Sequence, residues 1–396
     1  MALLHIPAPI LPIAPSWFPG HMMKFTRMLP ALLTRTDVVL EIRDSRLPLT
    51  SINRSLEGAL RKWRLERGWD PNNPTRRIIA AEASFTLRVV ATTAGYQKFE
   101  RDPNIAKQHP HAMELNVLVI GMPNVGKSTL LNALRHMGIK GRTPKAFKTS
   151  VNPGMTQALS TRLKLSLDPL VYAYDTPGVM LPFLGRGAEG AERGVKLALI
   201  AGIKEGMYDM QTLAAYLLYR LNVLNPIAPA YLHLLPPGSQ PTFDLEDFLT
   251  NLAQRMGMIT RGAEVDLARA AVYFVRWWRE EGGLLSASSA FNIGVNTNTN
   301  SSATSPQITT APGQFFSTQG WGFDFQWDLQ PQEVTSLQGG MDPSTLVQDK
   351  MERCIQDYVE MTDRQESEEN NLSQTQVKKR QVFEEKLKRR MKRERR

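Results

Sequence analysis

Eight consecutive residues, Gly121-Met-Pro-Asn-Val-Gly-Lys-Ser128, fit the pattern Gly-x-x-x-x-Gly-Lys-Ser, in which a glycine-bearing loop wraps phosphate groups. Successive backbone N–H groups of such a loop converge on an anion, and the helix behind it adds its positive end. The spacing assigns Asn124, Val125, Gly126, Lys127, Ser128 and Thr129 to a bound triphosphate, with the Lys127 amine on the outer phosphates and the Ser128 hydroxyl on magnesium. Downstream, the polar, basic stretch from Lys140 to Pro153 runs into Asn152-Pro-Gly-Met-Thr156. A loop with one threonine suits a switch, because Thr156 can bind magnesium only while the last phosphate is present. Asp175-Thr-Pro-Gly178 follows, with Asp175 as a metal-supporting carboxylate and the Gly178 N–H as a contact to the last phosphate. Read alone, that tetrapeptide is also an ordinary turn. In this order after a phosphate loop, the three segments describe a GTPase-type site, with Lys127, Thr156 and Gly178 as the catalytic set.

Such a site needs a strand to deliver each loop. Leu115-Asn-Val-Leu-Val-Ile120 is short, apolar and β-branched, as a buried parallel strand requires, and Ser128 to Arg135 reads as the helix after the loop. Leu159 to Leu167 and Leu170 to Tyr174 read as a hairpin whose second strand ends at Asp175. Upstream, Lys24 to Arg35 carries Phe25, Met28, Leu29, Leu32 and Leu33 at helical spacing, and Asp37 to Ile42 is a strand. The polar loop Arg43-Asp-Ser-Arg-Leu-Pro-Leu49 follows that strand's carboxyl end, where open α/β sheets place ligands. The expected fold is α/β, a mostly parallel sheet with flanking helices. A small all-α domain follows, with helices over Gly194 to Lys204, Met210 to Leu224, Leu245 to Met256 and Glu264 to Glu281. In the last of these, Arg276, Trp277, Trp278 and Arg279 either form core and rim or stack against RNA bases. The expected boundaries are an extension over 1–16, the nucleotide domain over 17–186 and the helical domain over 187–283. A linker with an aromatic cluster (Phe315, Phe316, Trp321, Phe323, Phe325, Trp327) spans 284–344, and a partly disordered, partly helical basic tail spans 345–396.

Composition narrows the partners. Of the net charge of +10, eight come from the segment Lys378 to Arg396, which holds eleven Lys or Arg against three Glu. That tail suits RNA phosphates or acidic lipid headgroups, and equally a solvated helix end. A single cysteine, Cys354, excludes an internal disulfide and a Cys-based zinc cluster and suits a reducing compartment. No apolar run approaches the ~20 residues of a membrane span. Residues 1–16 lack the arginines of a transit peptide.

Mechanism turns on position 179. Many small GTPases place a glutamine there to orient water, whereas Val179 has no side-chain hydrogen bond to offer, so slow intrinsic hydrolysis is expected. A cation or a partner must then assist, and Asn124 is a candidate ligand for potassium. His21 has no carboxylate near it in sequence and reads as a structural or docking residue rather than a catalyst.

The combination of Trp17-Phe-Pro-Gly-His-Met22 with Lys24, Asp44-Ser-Arg-Leu-Pro-Leu49 with Asn53, the phosphate loop, Asn152 to Thr156 and Asp175 to Gly178 resembles the circularly permuted GTPases of ribosome assembly, especially their mitochondrial branch. The resemblance covers roughly residues 16 to 282. It implies GTP and magnesium as ligands, stimulation by potassium, and the large mitochondrial ribosomal subunit and its rRNA as partners. It also implies a matrix location, with peripheral association with the inner membrane. The family's Asn-Lys-x-Asp, whose aspartate reads guanine, is absent from this chain. Arg88 to Ala94 offers only Thr93 and Ala94 as stand-ins. Three readings therefore stand: a GTP-dependent assembly factor, a nucleotide hydrolase with relaxed base selectivity, and a non-hydrolysing RNA-binding scaffold.

Overall fold

The computed structural model describes residues 6–15, 18–66, 78–83, 87–93, 114–141, 162–167, 170–226, 228–283, 318–328, 343–367 and the isolated residues 333, 378 and 382. The Thr156 segment, Trp17, Ala94, the stretch 284–317 and nearly all of the basic tail lie outside these. In chain order the elements are α1 (Gly20–Leu33), β1 (Val38–Asp44), α2 (Arg54–Glu66), β2 (Ile78–Ala83), β3 (Leu87–Thr93), β4 (Leu115–Gly121), α3 (Lys127–Gly138), β5 (Leu163–Leu167) and β6 (Leu170–Asp175). Then follow α4 (Gly187–Leu199), α5 (Met210–Leu224), α6 (Leu245–Met256), α7 (Leu267–Trp277), β7 (Thr318–Trp321), β8 (Phe325–Asp328) and α8 (Pro343–Ser367).

β4 is apolar along nearly its whole length because it lies inside the sheet, with Leu118, Val119 and Ile120 buried. Six strands lie in the order β2-β3-β1-β4-β6-β5. β1, β4 and β6 run parallel, and β5 folds back on β6 as the expected hairpin. The sheet is mixed rather than mostly parallel, because β3 pairs antiparallel with both β1 and β2. Only three residues join β2 to β3, too few for a crossover, so that pair closes as a hairpin. The three parallel strands send the loops after Asp44, Gly121 and Asp175 to one edge of the sheet. β3 sends its last residue, Thr93, to the opposite edge, where it pairs with Val38. Thr93 therefore cannot stand in for the base-reading motif beside the phosphate loop.

The helical region is assembled by side-chain caps and aromatic packing. Asp209, Asp244 and Asp266 each accept the backbone N–H three residues on, at 3.3, 3.0 and 2.9 Å, and so start α5, α6 and α7. Phe248 lies 5.0 Å from Tyr231 and 4.5 Å from Phe274, ring centre to ring centre. α4 covers Gly187–Leu199 and stops short of the expected Lys204, since Ala201 takes a left-handed φ of 54°. Trp277 and Trp278 are buried. Trp277 stacks on Phe274 at 5.9 Å and Trp278 on Phe323 at 5.0 Å, which removes both indoles from any RNA-stacking role. Arg279 is likewise engaged, donating to the carbonyls of Leu199 and Ala198, while Arg276 stays exposed.

Three residues of the aromatic cluster dock on the body, while Phe315 and Phe316 lie outside the described residues. Phe323, Phe325 and Trp327 of the β7–β8 hairpin are buried, and α8 packs Val347, Met351, Cys354 and Tyr358 against the second and third of these together with Leu49. Arg46 is the hinge pin between hairpin, helices and sheet. Its guanidinium grips both carboxylate oxygens of Asp44 at 2.9 and 2.7 Å, donates to the Arg279 carbonyl at 2.9 Å and lies 4.7 Å from the Trp278 ring centre. Gly322, at φ +56°, lets the hairpin turn approach the Arg46 carbonyl, which a Cβ would meet at 2.4 Å. Arg46→Ala would leave the buried Asp44 carboxylate uncompensated and is expected to cost about 3–5 kcal/mol of stability, read as a lower urea midpoint.

Candidate nucleotide-binding site

The phosphate loop owes its shape to a few backbone angles. Gly121 closes β4 against β1 so tightly that a Cβ would lie 2.3 Å from the Ile42 carbonyl oxygen. Asn124 and Gly126 take φ values of +60° and +86°, which turn the chain into the first turn of α3. Gly126 sits at the N-cap with no side-chain cap on the helix, so the amides at the start of α3 remain the kind of donors an anion recruits.

Lys127 lies folded over this loop, 7% exposed, its Nζ donating to the Met122 carbonyl at 2.6 Å. Burial brings its ammonium down to about 8, against the opposing pull of the Asp175 charge. Ser128 Oγ donates to Asp175 Oδ2 at 2.6 Å, so two residues 47 apart in sequence meet where the ends of β4 and β6 converge. Burial raises the Asp175 carboxyl, while the Ser128 hydroxyl, Lys127 and the Thr176 backbone act to lower it. A hydroxyl and a carboxylate in contact beside a phosphate loop form an oxygen donor set that fits magnesium, a hard cation.

The segment after Asp175 lies against the phosphate loop. Thr176 Oγ1 donates to the Val119 carbonyl at 2.6 Å, and Val179 N to the Gly121 carbonyl at 3.2 Å. Gly178 passes so close to Pro123 that a Cβ would sit 2.5 Å from two of its backbone atoms. Val179 is 1% exposed, so its side chain serves the core, which accounts for an apolar residue at this position. The Val179 carbonyl accepts from Asn53 Nδ2 at 2.6 Å, and Met180 N donates to Met22 Sδ at 3.4 Å. The loop after β1 and the start of α1 thus both touch the switch segment. His21, beside Met22, holds Nε2 buried with no hydrogen-bond partner among the described residues, and burial lowers its pKa.

Asn124 Nδ2 donates to the Ala201 carbonyl at 2.9 Å, which ties the phosphate loop to the end of α4. Val125 is buried, and Thr129 stands in the first turn of α3. Sequence reasoning thus brings Asn124 to Thr129, Asp175 and Gly178 together at one sheet edge, with Thr156 outside the described residues. It placed Arg46 in the polar loop after β1 without its bridging role, reached Asn53 only through the resemblance, and missed Asp324. Asp324 is 274 residues from Thr50, which it binds, so no local pattern could announce it.

A mitochondrial GTPase 1 from Schizosaccharomyces japonicus (strain yFS275 / FY16936) is 30% identical to this chain over 300 residues, 67% of this chain and 87% of that protein. The chain belongs to the mitochondrial GTPase 1 family. A mitochondrial ribosome-associated GTPase 1 from Xenopus tropicalis is also 30% identical over 305 residues, 66% of this chain and 90% of that protein. Residues 116–219 match the family model described as a 50S ribosome-binding GTPase. The GNP-bound YlqF from T. maritima aligns with 65% of this chain and 94% of its own at 20% identity, with a TM-score of 0.33, too low to bear on the fold. As a member of this GTPase family the chain has the α/β phosphate-loop fold in permuted order, with β1 and its ligand-edge loop ahead of the phosphate loop. Among the described residues no helix is long and apolar enough to cross a membrane.

With Lys127 on the phosphates, nucleotide affinity is expected to depend on pH. A bound triphosphate lifts the amine's pKa back up, so binding above about 8 takes up a proton. Affinity is expected to fall as pH rises from about 8 towards 10, by up to about tenfold per unit, and to be insensitive to this group below 8. Calorimetry in buffers of different ionisation enthalpy measures that uptake, and Lys127→Met should abolish it.

Proposed function

We propose that this chain is a GTP-dependent assembly factor for the large subunit of the mitochondrial ribosome, acting in the matrix with peripheral contact to the inner membrane. The observation that carries the reading is the contact between Ser128 and Asp175 at 2.6 Å beside Lys127. It joins a phosphate loop to a following switch segment, as hydrolysis of a terminal phosphate requires. Ser128, Asp175 and Thr156 would hold magnesium, which would neutralise charge on the phosphate oxygens. Lys127 neutralises the outer phosphates, and the amides from Asn124 to Thr129 cradle them. Gly178 offers its N–H to the last phosphate, and Val179 keeps the adjacent core dry. Asn124, whose Nδ2 donates to the Ala201 carbonyl, would offer its amide oxygen to potassium. With no hydrogen-bonding side chain at position 179, intrinsic hydrolysis of GTP by water is slow, and potassium together with the ribosomal subunit accelerates it. Ordering of the switch loops biases how the helical region sits on rRNA, so the nucleotide acts as a timer.

Phosphate release from GTP, with and without potassium and large subunits, tests the reading. Slow release that rises with both supports it, and no release under any condition defeats it. A second reading, relaxed base selectivity, is favoured by the missing Asn-Lys-x-Asp and by β3 carrying Thr93 to the far edge of the sheet. Without the aspartate of that motif on the guanine edge, discrimination of GTP over ATP is expected to fall from about 10⁴ to at most tens. Competition of ATP against a fluorescent GTP analogue measures it.

A further inference from the structure

The β7–β8 hairpin lies far outside the matched family segment, yet its turn reaches the loop that touches the switch. Asp324, its side chain 3% exposed, accepts from the backbone amides of Leu49 and Thr50 at 2.9 and 2.7 Å and from Thr50 Oγ1 at 2.6 Å. Lys196 Nζ of α4 lies 3.4 Å from the same carboxylate. A buried carboxylate with these donors holds its loop firmly, because charge-assisted hydrogen bonds are the strong ones.

That loop is a run of turns with little slack. Leu47 N donates to the Asp44 carbonyl at 3.1 Å, Ser51 N to Leu47 at 2.9 Å and Ile52 N to Leu49 at 3.0 Å. It ends at Asn53, buried, whose amide grips the Val179 carbonyl. The Val179 amide in turn donates to Gly121 of the phosphate loop, so this one residue is held from both sides. The hairpin is itself anchored on the helices, since Arg220 donates to the Phe323 carbonyl at 2.9 Å and Phe323 stacks on Trp278.

We propose that Asp324 is a positioning residue for GTP hydrolysis, setting the Val179 end of the switch through the Leu49–Thr50 turn and Asn53. The hairpin thereby couples the helical region to the nucleotide site. The inference rests on the GTPase reading for its kinetic consequence, but the positioning itself is measurable without nucleotide.

In the full chain, Asp324→Ala is expected to lower kcat for GTP about tenfold while GDP affinity changes less than about twofold. Asn53→Ala is expected to do the same, and the double variant no more than either alone. Amide hydrogen exchange across residues 176–182 should rise in each variant with or without nucleotide. If the unsubstituted chain releases no phosphate, the functional reading fails and the exchange measurement still decides the positioning role. Should Asp324→Ala not fold, Thr50→Val deletes one hydrogen bond at nearly constant volume and carries the same test at smaller amplitude. Additive effects of the two substitutions, or unchanged exchange at 176–182 in a folded Asp324 variant, would overturn the proposal and leave the hairpin as packing alone.

Discussion

Lys127→Ala is expected to reduce single-turnover GTP hydrolysis by at least about a hundredfold and to weaken triphosphate binding far more than stability. The amine lies over the phosphate loop with one carbonyl for company and an ammonium already brought down to about 8 by burial. Its charge therefore costs free energy in the empty site and is recovered when anionic phosphate arrives. Alanine removes a buried cation and its desolvation cost, while Asp175 loses a favourable charge and keeps the Ser128 hydroxyl, so the two effects on the fold oppose each other. A thermal midpoint that changes little, together with lost phosphate release, is the expected pair of results. Ribosome association of this variant that ignores every nucleotide, in a chain whose unsubstituted form also ignores them, would favour the scaffold reading instead.

Gly178→Ala is expected to abolish hydrolysis, by more than about a hundredfold, while GDP binding stays within a few-fold of normal. The added methyl carbon would lie 2.5 Å from the Cα and N of Pro123, which are backbone atoms with no rotamer to yield. The switch segment must therefore move away from the phosphate loop, taking the Gly178 N–H with it. The Gly121–Val179 and Asn53–Val179 hydrogen bonds are expected to weaken as well. GDP lacks the phosphate this segment would meet, so its affinity is the internal control. Equal losses for GDP and a non-hydrolysable GTP analogue would mean that the substitution has damaged the loop itself.

How far these residues could be read beforehand depends on the range of the forces that place them. Gly121 to Ser128 is legible because its function is local: backbone angles at Asn124 and Gly126 and a helix start lie within one short segment. β4 is legible because a strand buried on both faces is written as an unbroken apolar run. α5 and α6 fall within the expected limits, since aspartate caps and apolar spacing mark them. β3 is harder. Its residues suit any strand: the short link to β2 fixes only that those two strands run antiparallel, and the direction of β3 against β1 is decided by pairing across the sheet. The same limit applies to Trp277 and Trp278. Amphipathic spacing leaves open whether an indole faces core or solvent on a helix rim, and Phe323, some forty-five residues away, decides it for Trp278.

From the order of residues alone follow the phosphate loop, the switch tetrapeptide ending at Gly178, the apolar side chain at Val179 and the lack of a guanine-reading motif. Each is a matter of residue type at short spacing, where chain connectivity enforces proximity. Tertiary structure alone decided that Ser128 meets Asp175, that Arg46 bridges sheet and helices, and that Asp324 closes over the loop leading to Asn53. Those contacts join segments tens to hundreds of residues apart, and they arise because parallel strands bring their carboxyl ends to one edge while a distant hairpin buries its aromatics beside it. Burial then turns ordinary charged side chains into fixed ones, since an aspartate or arginine withdrawn from water must find its partner wherever the fold provides it.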